Sequence, residues 1–386
     1  MQQDIIFAFF IIFSGALVLS TFALYTRQPV LIAYIALGAL AGPFGLGWIQ
    51  NPQAVSSLAD IGILFLLFLL GLDMQPSALF AVMRKATPVA LISSLIFFAA
   101  GAAVALLFGS SQTDAIIIGL AMMFSSTIIG LKLLPTTVLH HKHMGELMIG
   151  LLLLQDMLAI LVLILLGVMA GNEAMPVWQP FVALPLLAAG CYLLVKGLLL
   201  KLIARFDRFQ EYLFILAIGW CLAVAEGAKL VGLTHEIGAF IAGVTLATSP
   251  IAQFMAISLK PLRDFFLVMF FFAVGAQINL GLLSDVIAAA GVMAALMLMI
   301  KPVVFRFLLS GQSERRELAW DVGFRLGQIS EFSLLIAFVA TQSSLLSESG
   351  SLLIQATAIL TFVVSSYIVV FNYPNPIAVS DKLRRD

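Results

Sequence analysis

A carboxylate beside an amide, Asp156 next to Gln155, interrupts a long apolar stretch that runs from Leu147 to Ala170. If that stretch is a helix, Asp156 lies about 14 Å from one end and about 21 Å from the other. It is then near the centre of a hydrocarbon layer roughly 30 Å thick, where a charge costs at least ~2.5 kcal/mol on insertion scales. A titratable group at that depth generally faces a cavity, an ion path or a counter-charge. The alternative is a carboxyl group that stays protonated or only braces two helices.

Polar residues on three other predicted helices reach a similar depth. They are Ser126 and Thr127, which follow Ser125 in the fifth predicted helix, Lys301 in the eleventh, and Gln328 and Glu331 in the twelfth. Breaks in helices at such clusters would expose carbonyl groups for a cation and N-terminal dipoles that balance charge. Lys301 can pair with Asp156, which would keep both groups charged when no cation is bound, or with Glu331. The sequence leaves both pairings open, and of the two we favour Asp156.

The composition is that of a membrane protein. The chain is 62% hydrophobic and only 10% charged, with a mean hydropathy of +1.11, whereas soluble domains average about 25% charged residues. Equal numbers of acidic and basic residues make nucleic acid a poor candidate as a partner. The sequence has no zinc-type cysteine spacing, no cofactor motif and no nucleophile–base pair. We therefore expect no cofactor, no metal beyond a transported cation, and no enzymatic activity.

Apolar segments broken by glycine, proline and charges predict thirteen transmembrane helices. They cover about residues 4–24, 29–42, 58–72, 88–108, 114–134, 146–170, 181–201, 211–230, 235–250, 262–283, 286–309, 321–341 and 351–371. Nearly all lysines and arginines fall in alternate loops, which places the N-terminus outside and the C-terminus in the cytoplasm by the positive-inside rule. The predicted fold is an all-α polytopic membrane protein.

Two pairs of similar segments indicate an internal repeat. AYIA at Ala33–Ala36 recurs as AFIA at Ala239–Ala242, and the segment that ends at Leu79 resembles the one that ends at Leu283 at nearly the same offset. With the seventh helix as a linker, helices one to six correspond to helices eight to thirteen in inverted topology. Inverted repeats are typical of secondary transporters, whose substrate sites lie at the midplane between the repeats.

Five motifs resemble those of the monovalent cation:proton antiporter-2 family, and most of all its Kef-type potassium/proton branch. The motifs are LLLLQDMLAI, FSSTIIGLKLL, HEIGAFIAGVTLA, FFFAVGAQI and RLGQISEFSLLI. The resemblance implies a sodium/proton antiporter-like fold of 13 helices, with broken crossing helices in its core. It also implies that Asp156 is the ion-binding aspartate, that Gln155 is the residue typical of Kef proteins at its position, and that Lys301 is the core lysine.

The resemblance divides the chain into parts with different roles. A scaffold and dimerisation part would comprise about residues 4–72 and 211–283, and an ion-carrying core about residues 88–171 and 286–372, with a linker helix at about 181–201. Members of the family form homodimers, so we expect a homodimer surrounded by lipid in a bacterial inner (cytoplasmic) membrane.

The expected function is exchange of K⁺ for H⁺ by an elevator-type movement of the core. Asp156 would hold a proton and a cation in turn, and Gln155, Ser126 and Thr127 would shape the coordination. Sodium/proton exchange is the close alternative, because one glutamine is thin evidence for the choice of ion. A cation channel is an alternative of another class, which the inverted repeat and the midplane acid disfavour.

The C-terminal end departs from the Kef pattern. Kef proteins continue into a cytoplasmic nucleotide-binding regulatory domain, whereas this sequence ends at SDKLRRD and has no GxGxxG motif. The chain is then either a stand-alone relative or the membrane part of a longer protein. Control by glutathione or nucleotides is not carried over from the resemblance.

Overall fold

The computed structural model describes residues 5–49, 52–73, 76–132, 143–169, 179–206, 208–249, 251–279 and 281–374. Within these ranges the regular structure is entirely helical and no strand occurs. The prediction of an all-α protein is confirmed for this part of the chain.

Sixteen α-helices lie in the described ranges. In chain order they are α1 Ile5–Tyr25, α2 Val30–Ala41, α3 Pro52–Asp73, α4 Pro76–Leu107, α5 Gln112–Met122, α6 Thr127–Lys132, α7 His143–Met169, α8 Gln179–Leu194, α9 Leu200–Phe206, α10 Gln210–Leu230, α11 His235–Leu246, α12 Ala252–Ala276, α13 Leu283–Gly311, α14 Arg316–Arg325, α15 Glu331–Gln342 and α16 Glu348–Asn372. A short π-helical segment, Val195–Leu199, joins α8 to α9 without a break.

Many of these helices suit a membrane by length and composition. Among the described residues, seven helical spans are long and apolar enough to cross a bilayer, and five more apolar helices or helical segments are shorter, at 10–17 residues. A straight span needs roughly 20 apolar residues, so the seven alone make a polytopic membrane protein. The full set of thirteen predicted spans stays a prediction.

The predicted span at 88–108 agrees with the apolar span Ala86–Leu107, although the helix that contains it, α4, begins at Pro76 and Pro88 lies inside it. The predicted helix at 262–283 has wrong boundaries, because Pro261 was taken as a boundary: α12 already begins at Ala252 and ends at Ala276. Proline is tolerated inside membrane helices, where neighbouring groups satisfy the backbone carbonyl that it leaves unpaired.

The described residues form two compact units. The first unit contains those within 1–50, 80–163 and 274–386, and the second unit contains those within 51–79 and 164–273. All the residues that the sequence proposed for an ion site belong to the first unit. The predicted division into a scaffold and an ion-carrying core is a different partition and stays a prediction.

In the second unit, α3 and α11 approach each other closely through two glycines. A Cβ atom added at Gly243 would overlap the carbonyl oxygen of Phe68, and one added at Gly71 would lie 2.6 Å from the carbonyl oxygen of Phe240. Small residues let membrane helices pack backbone to backbone, where van der Waals contact replaces the hydrophobic effect. The packing of this unit therefore depends on two positions without side chains.

In the first unit, an apolar cluster holds the middle of α13 in place. Phe97 of α4 and Phe305 of α13 are both fully buried, and their rings meet edge to face with centroids 5.5 Å apart. Ala319 and Val322 of α14 pack into the same cluster. Lys301 lies one helical turn before Phe305, so this cluster fixes the height and direction of the only lysine in α13.

The glycine contact gives a prediction about stability. Gly243→Ala should lower the free energy of unfolding by about 1–3 kcal/mol, the usual cost of overpacking, because the new methyl group meets backbone atoms that cannot rotate away. Thermal unfolding in detergent would measure it. Gly227→Ala in α10 is the matched control: no atom lies within 4 Å of its added Cβ, so its melting temperature should stay equal or rise. Equal melting temperatures for the two variants would contradict the close approach.

Candidate functional site

The helix α7 carries both central polar residues of the candidate site. It is continuous over 27 residues, which places Asp156 about 20 Å from either end. Gln155 is fully buried and Asp156 is 1% exposed. An apolar helix with a buried carboxyl group at its midpoint is what the sequence predicted, and the structure encloses that group completely.

Two helices are interrupted where the polar clusters predicted it. The helix α5 ends at Met122 and α6 begins at Thr127, while α14 ends at Arg325 and α15 begins at Glu331. Each new helix has a serine at its N-terminus. The Ser126 hydroxyl accepts a hydrogen bond from the backbone N–H of Ile129 at 3.1 Å, and the Ser330 hydroxyl accepts one from the N–H of Phe332 at 3.1 Å. Both serines thereby satisfy donors that a helix start leaves free.

The two interruptions contact each other. The Ser125 hydroxyl donates to the carbonyl oxygen of Leu326 at 2.8 Å, and the Gln328 amide donates to the carbonyl oxygen of Ser126 at 3.4 Å. The Ser333 hydroxyl donates to the carbonyl oxygen of Ala121 at 2.5 Å. Each break therefore uses side chains of the other to satisfy its own backbone.

Lys301 binds backbone at both breaks. Its ammonium group donates to the carbonyl oxygens of Phe124 at 2.5 Å and Gln328 at 3.2 Å, and it lies 5.1 Å from the centroid of the Phe97 ring. The side chain is fully buried. Among the described carboxylates, neither Asp156 nor Glu331 comes within ion-pair distance of it. In the structure the acceptors of Lys301 are therefore two backbone carbonyl oxygens, and neither of the two carboxylates that the sequence suggested as partners.

Asp156 faces the start of α6. Its carboxylate accepts a hydrogen bond from the Thr127 hydroxyl, with oxygen–oxygen distances of 3.2 and 3.4 Å. Glu331, the first residue of α15, is 6% exposed and lies near enough to act on Asp156 electrostatically. Two carboxyl groups in one buried site repel each other when both are charged.

The two polar atoms of the Gln155 side chain, next to Asp156, differ in their contacts. The Gln155 side-chain oxygen accepts a hydrogen bond from the backbone N–H of Ser125 at 3.0 Å, which holds the first break against α7. Its amide nitrogen is buried and has no hydrogen-bond acceptor among the described residues. Gln155 therefore contributes to the shape of the site through the chain at Ser125.

Two residues of α16 belong to the site and were missed. The Ser365 hydroxyl donates to the Gln328 side-chain oxygen at 2.8 Å, and the Thr361 hydroxyl accepts from the backbone N–H of Ile329 at 3.3 Å. A signal for them was present, because Thr357, Thr361 and Ser365 recur every four residues and so form one polar face of an apolar helix. The sequence alone does not show what this face contacts, and in the structure its partner is the break between α14 and α15.

Comparison with known proteins identifies the family. The chain matches the model described as the sodium/hydrogen exchanger, transmembrane, over residues 8–371, and it belongs to that family. The predicted membership of a monovalent cation:proton antiporter family is thereby confirmed.

Three relatives give the range of activities. The chain is 30% identical over 354 residues to K(+) efflux antiporter 5 of Arabidopsis thaliana, and the aligned region covers 87% of this chain and 61% of that protein. It is 29% identical over 352 residues to K(+) efflux antiporter 6 of the same plant, with 87% and 58% covered. It is 25% identical over 348 residues to the iron transporter MagA of Paramagnetospirillum magneticum, with 88% and 79% covered. By name these relatives are transporters and not enzymes, as the sequence predicted. The chain spans only about three fifths of the length of the two plant relatives.

The contacts of Lys301 lead to a prediction that distinguishes backbone carbonyl groups from Asp156 as its partner. Lys301→Met should lower the melting temperature, because each buried carbonyl oxygen that loses its donor costs about 1–3 kcal/mol. Asp156→Asn should change the melting temperature little, since the carboxylate does not hold the lysine. If Lys301 were instead paired with Asp156, both variants would be strongly destabilised, because each would leave an uncompensated buried charge. Lys229→Met, at an exposed position in α10, is the control for loss of a lysine.

Proposed function

We propose that the chain exchanges a monovalent cation, with K⁺ favoured, for H⁺ across a membrane. The observation that carries this proposal is the carboxyl group of Asp156, buried at the midpoint of α7 beside the Thr127 hydroxyl and the break between α5 and α6. A single buried carboxylate can hold a cation or a proton but not both, so the two ions compete for one site. Competition of this kind couples their movements without any further device.

In this proposal the cation binds to oxygen atoms of Asp156 and Thr127. The Asp156 oxygens and the Thr127 hydroxyl oxygen are hard ligands, the class that alkali cations prefer. Protonation of Asp156 removes the negative charge that holds the cation, and arrival of a cation displaces the proton. When ionised, Glu331 would add negative charge near this site and strengthen its attraction for either positive species.

The preference for K⁺ rests on the relatives. Two of them are named K(+) efflux antiporters, whereas the family is described by sodium/hydrogen exchange and a third relative is named an iron transporter. Sodium/proton exchange is therefore the second candidate. Gln155 favours the first candidate, because it is the residue typical of Kef proteins at this position.

We propose the family architecture for the movement itself. Thirteen helices would form two inverted six-helix repeats with a linker helix. The core at about 88–171 and 286–372 would move across the membrane relative to the scaffold of a homodimer, as in an elevator mechanism. The orientation would be N-terminus outside and C-terminus in the cytoplasm, in a bacterial inner membrane. The two interrupted helices, one in each predicted repeat and in contact with each other, support this arrangement.

Asp156→Asn should reduce cation-driven proton movement to the level of protein-free liposomes. The amide keeps the size of the side chain and its hydrogen bond with Thr127 but cannot change charge. The measurement is the dissipation of a pH gradient in proteoliposomes on addition of K⁺, Na⁺, Li⁺ or Rb⁺. Asp264→Asn is the matched control, because Asp264 is exposed and its one ion-pair partner among the described residues is its neighbour Arg263, so exchange should persist.

Two outcomes of that assay would contradict the proposal. Exchange at the wild-type rate in Asp156→Asn would exclude this carboxylate as the shared site. Conduction of cations without coupled proton movement by the wild-type protein would favour a channel. Faster gradient dissipation by Na⁺ than by K⁺ would leave antiport in place and select the second candidate.

Gln155→Glu should alter the pH profile of exchange and make it sensitive to membrane voltage. The substitution keeps an oxygen for the N–H of Ser125 but places a second acid directly beside Asp156, and two such groups titrate as a coupled pair. Exchange is measured across a pH series with and without an imposed potential. Gln355→Glu adds an acid at another buried position of the same unit and serves as control. An unchanged profile in Gln155→Glu, or the same change in both variants, would show that Gln155 does not border the ion site.

A further inference from the structure

An apolar groove runs along α13 on the surface of the first unit. It encloses about 650 Å³ between α13, α14 and α16, and its lining residues include Gly291, Ala295, Met299, Trp320 and Val364. Met299 is 69% exposed and Val364 is 41% exposed, so the groove is open along one side. Gly291 and Ala295 are exposed lining residues, and no atom lies within 4 Å of a Cβ added at Gly291.

The groove leads to a cationic end. Met299, Val303, Arg306 and Ser310 follow each other every three or four residues, so they continue the lining face of α13 toward its C-terminal end. The Arg306 guanidinium carbon lies 5.2 Å from the ring centroid of Trp320, which itself lines the groove. Arg306 is about 8 Å from the end of α13, the height at which a lipid head group meets a membrane helix.

Two polar atoms at this end lack a partner. The Arg306 Nε and the Ser310 hydroxyl are buried and make no hydrogen bond with any described residue. Two acids of the adjoining segment are engaged elsewhere: Asp321 accepts from Arg325 at 2.7 Å, and Glu314 contacts His143 at 2.8 Å. An arginine N–H and a hydroxyl one helical turn apart match the oxygens of a phosphate group.

We propose that this groove binds an anionic glycerophospholipid. The phosphate of the lipid contacts Arg306 and Ser310, and one acyl chain lies in the groove toward Gly291. The distance from Gly291 to Arg306 along the helix is about 22 Å, the thickness of roughly one leaflet with its head-group region. Trp320 lies at the level of the head group, where tryptophan concentrates in membrane proteins.

Lipid binding to the purified, delipidated protein tests this proposal without any measurement of transport. Phosphatidylglycerol should raise the melting temperature more than phosphatidylcholine with the same acyl chains, and native mass spectrometry should retain it preferentially. Arg306→Gln should weaken binding of phosphatidylglycerol about tenfold and abolish the difference between the two lipids. Arg306→Lys keeps the charge and should keep the preference.

Two further variants control for charge and for the groove. Arg205→Gln removes an arginine that lies beside Phe206 at another helix end, and it should leave the preference for phosphatidylglycerol intact. Gly291→Leu adds a side chain at a lining position where nothing lies within 4 Å of the Cβ, and it should lower retention of both lipids because it takes space from the acyl chain.

Three results would overturn the proposal. A preference for phosphatidylglycerol that persists in Arg306→Gln would place the head group elsewhere. Equal stabilisation by inorganic phosphate alone would indicate a soluble anion rather than a lipid. A change in oligomeric state in Gly291→Leu, with lipid retention unaltered, would show that a second copy of the chain covers the groove.

Discussion

The structure depends on how two broken helices satisfy their own backbone inside a membrane. Where α5 gives way to α6, and α14 to α15, carbonyl and N–H groups lose their partners within the helix. In a hydrocarbon layer an unsatisfied backbone group costs several kcal/mol, so irregular backbone survives there only when other parts of the protein satisfy it. The polar side chains at this level meet that need. Serines cap the new helices, Gln155 and Gln328 bind the intervening chain, and Lys301 takes the carbonyl groups at both breaks.

The charges of the site follow from the polarity of the helix ends. Carbonyl groups accumulate where α5 and α14 end, and the ammonium group of Lys301 lies there. N–H groups accumulate where α6 and α15 begin, and the acids lie there: Glu331 is the first residue of α15, and Asp156 contacts the first residue of α6. This is the arrangement that helix dipoles favour. Its consequence is that the buried ammonium group of Lys301 is hydrogen-bonded to backbone carbonyl groups and not to Asp156.

The sequence was sufficient to predict how deep each polar residue lies in the membrane, but not which way its side chain points. A carboxylate in an apolar stretch and clusters of hydroxyl groups in two others predicted the midpoint acid and both interruptions, because hydropathy records distance along a helix. Hydropathy does not record which face of α13 carries Lys301. A lysine at the depth of two carboxylates can also reach backbone carbonyl oxygens, and these are the acceptors that it uses. The polar face of α16, with Thr361 and Ser365, was overlooked for a related reason: hydroxyl groups in apolar helices often bond to their own backbone, and Thr361 also does so. Only the position of the second break reveals their other partners.

The same hydrogen bonds limit what can hold a cation. The Gln155 oxygen is occupied by the N–H of Ser125, and its free amide nitrogen is a donor that no cation can use. The Ser126 hydroxyl already caps α6, and the Gln328 oxygen accepts from Ser365. Each of these oxygens already accepts one hydrogen bond, whereas the Asp156 carboxylate accepts only from the Thr127 hydroxyl among the described residues and so has the most unused acceptor capacity. Under the proposed function, a monovalent cation would be held chiefly by the charge of this carboxylate. Protonation of that one group would then release the cation, which is the property that exchange of a cation for a proton requires.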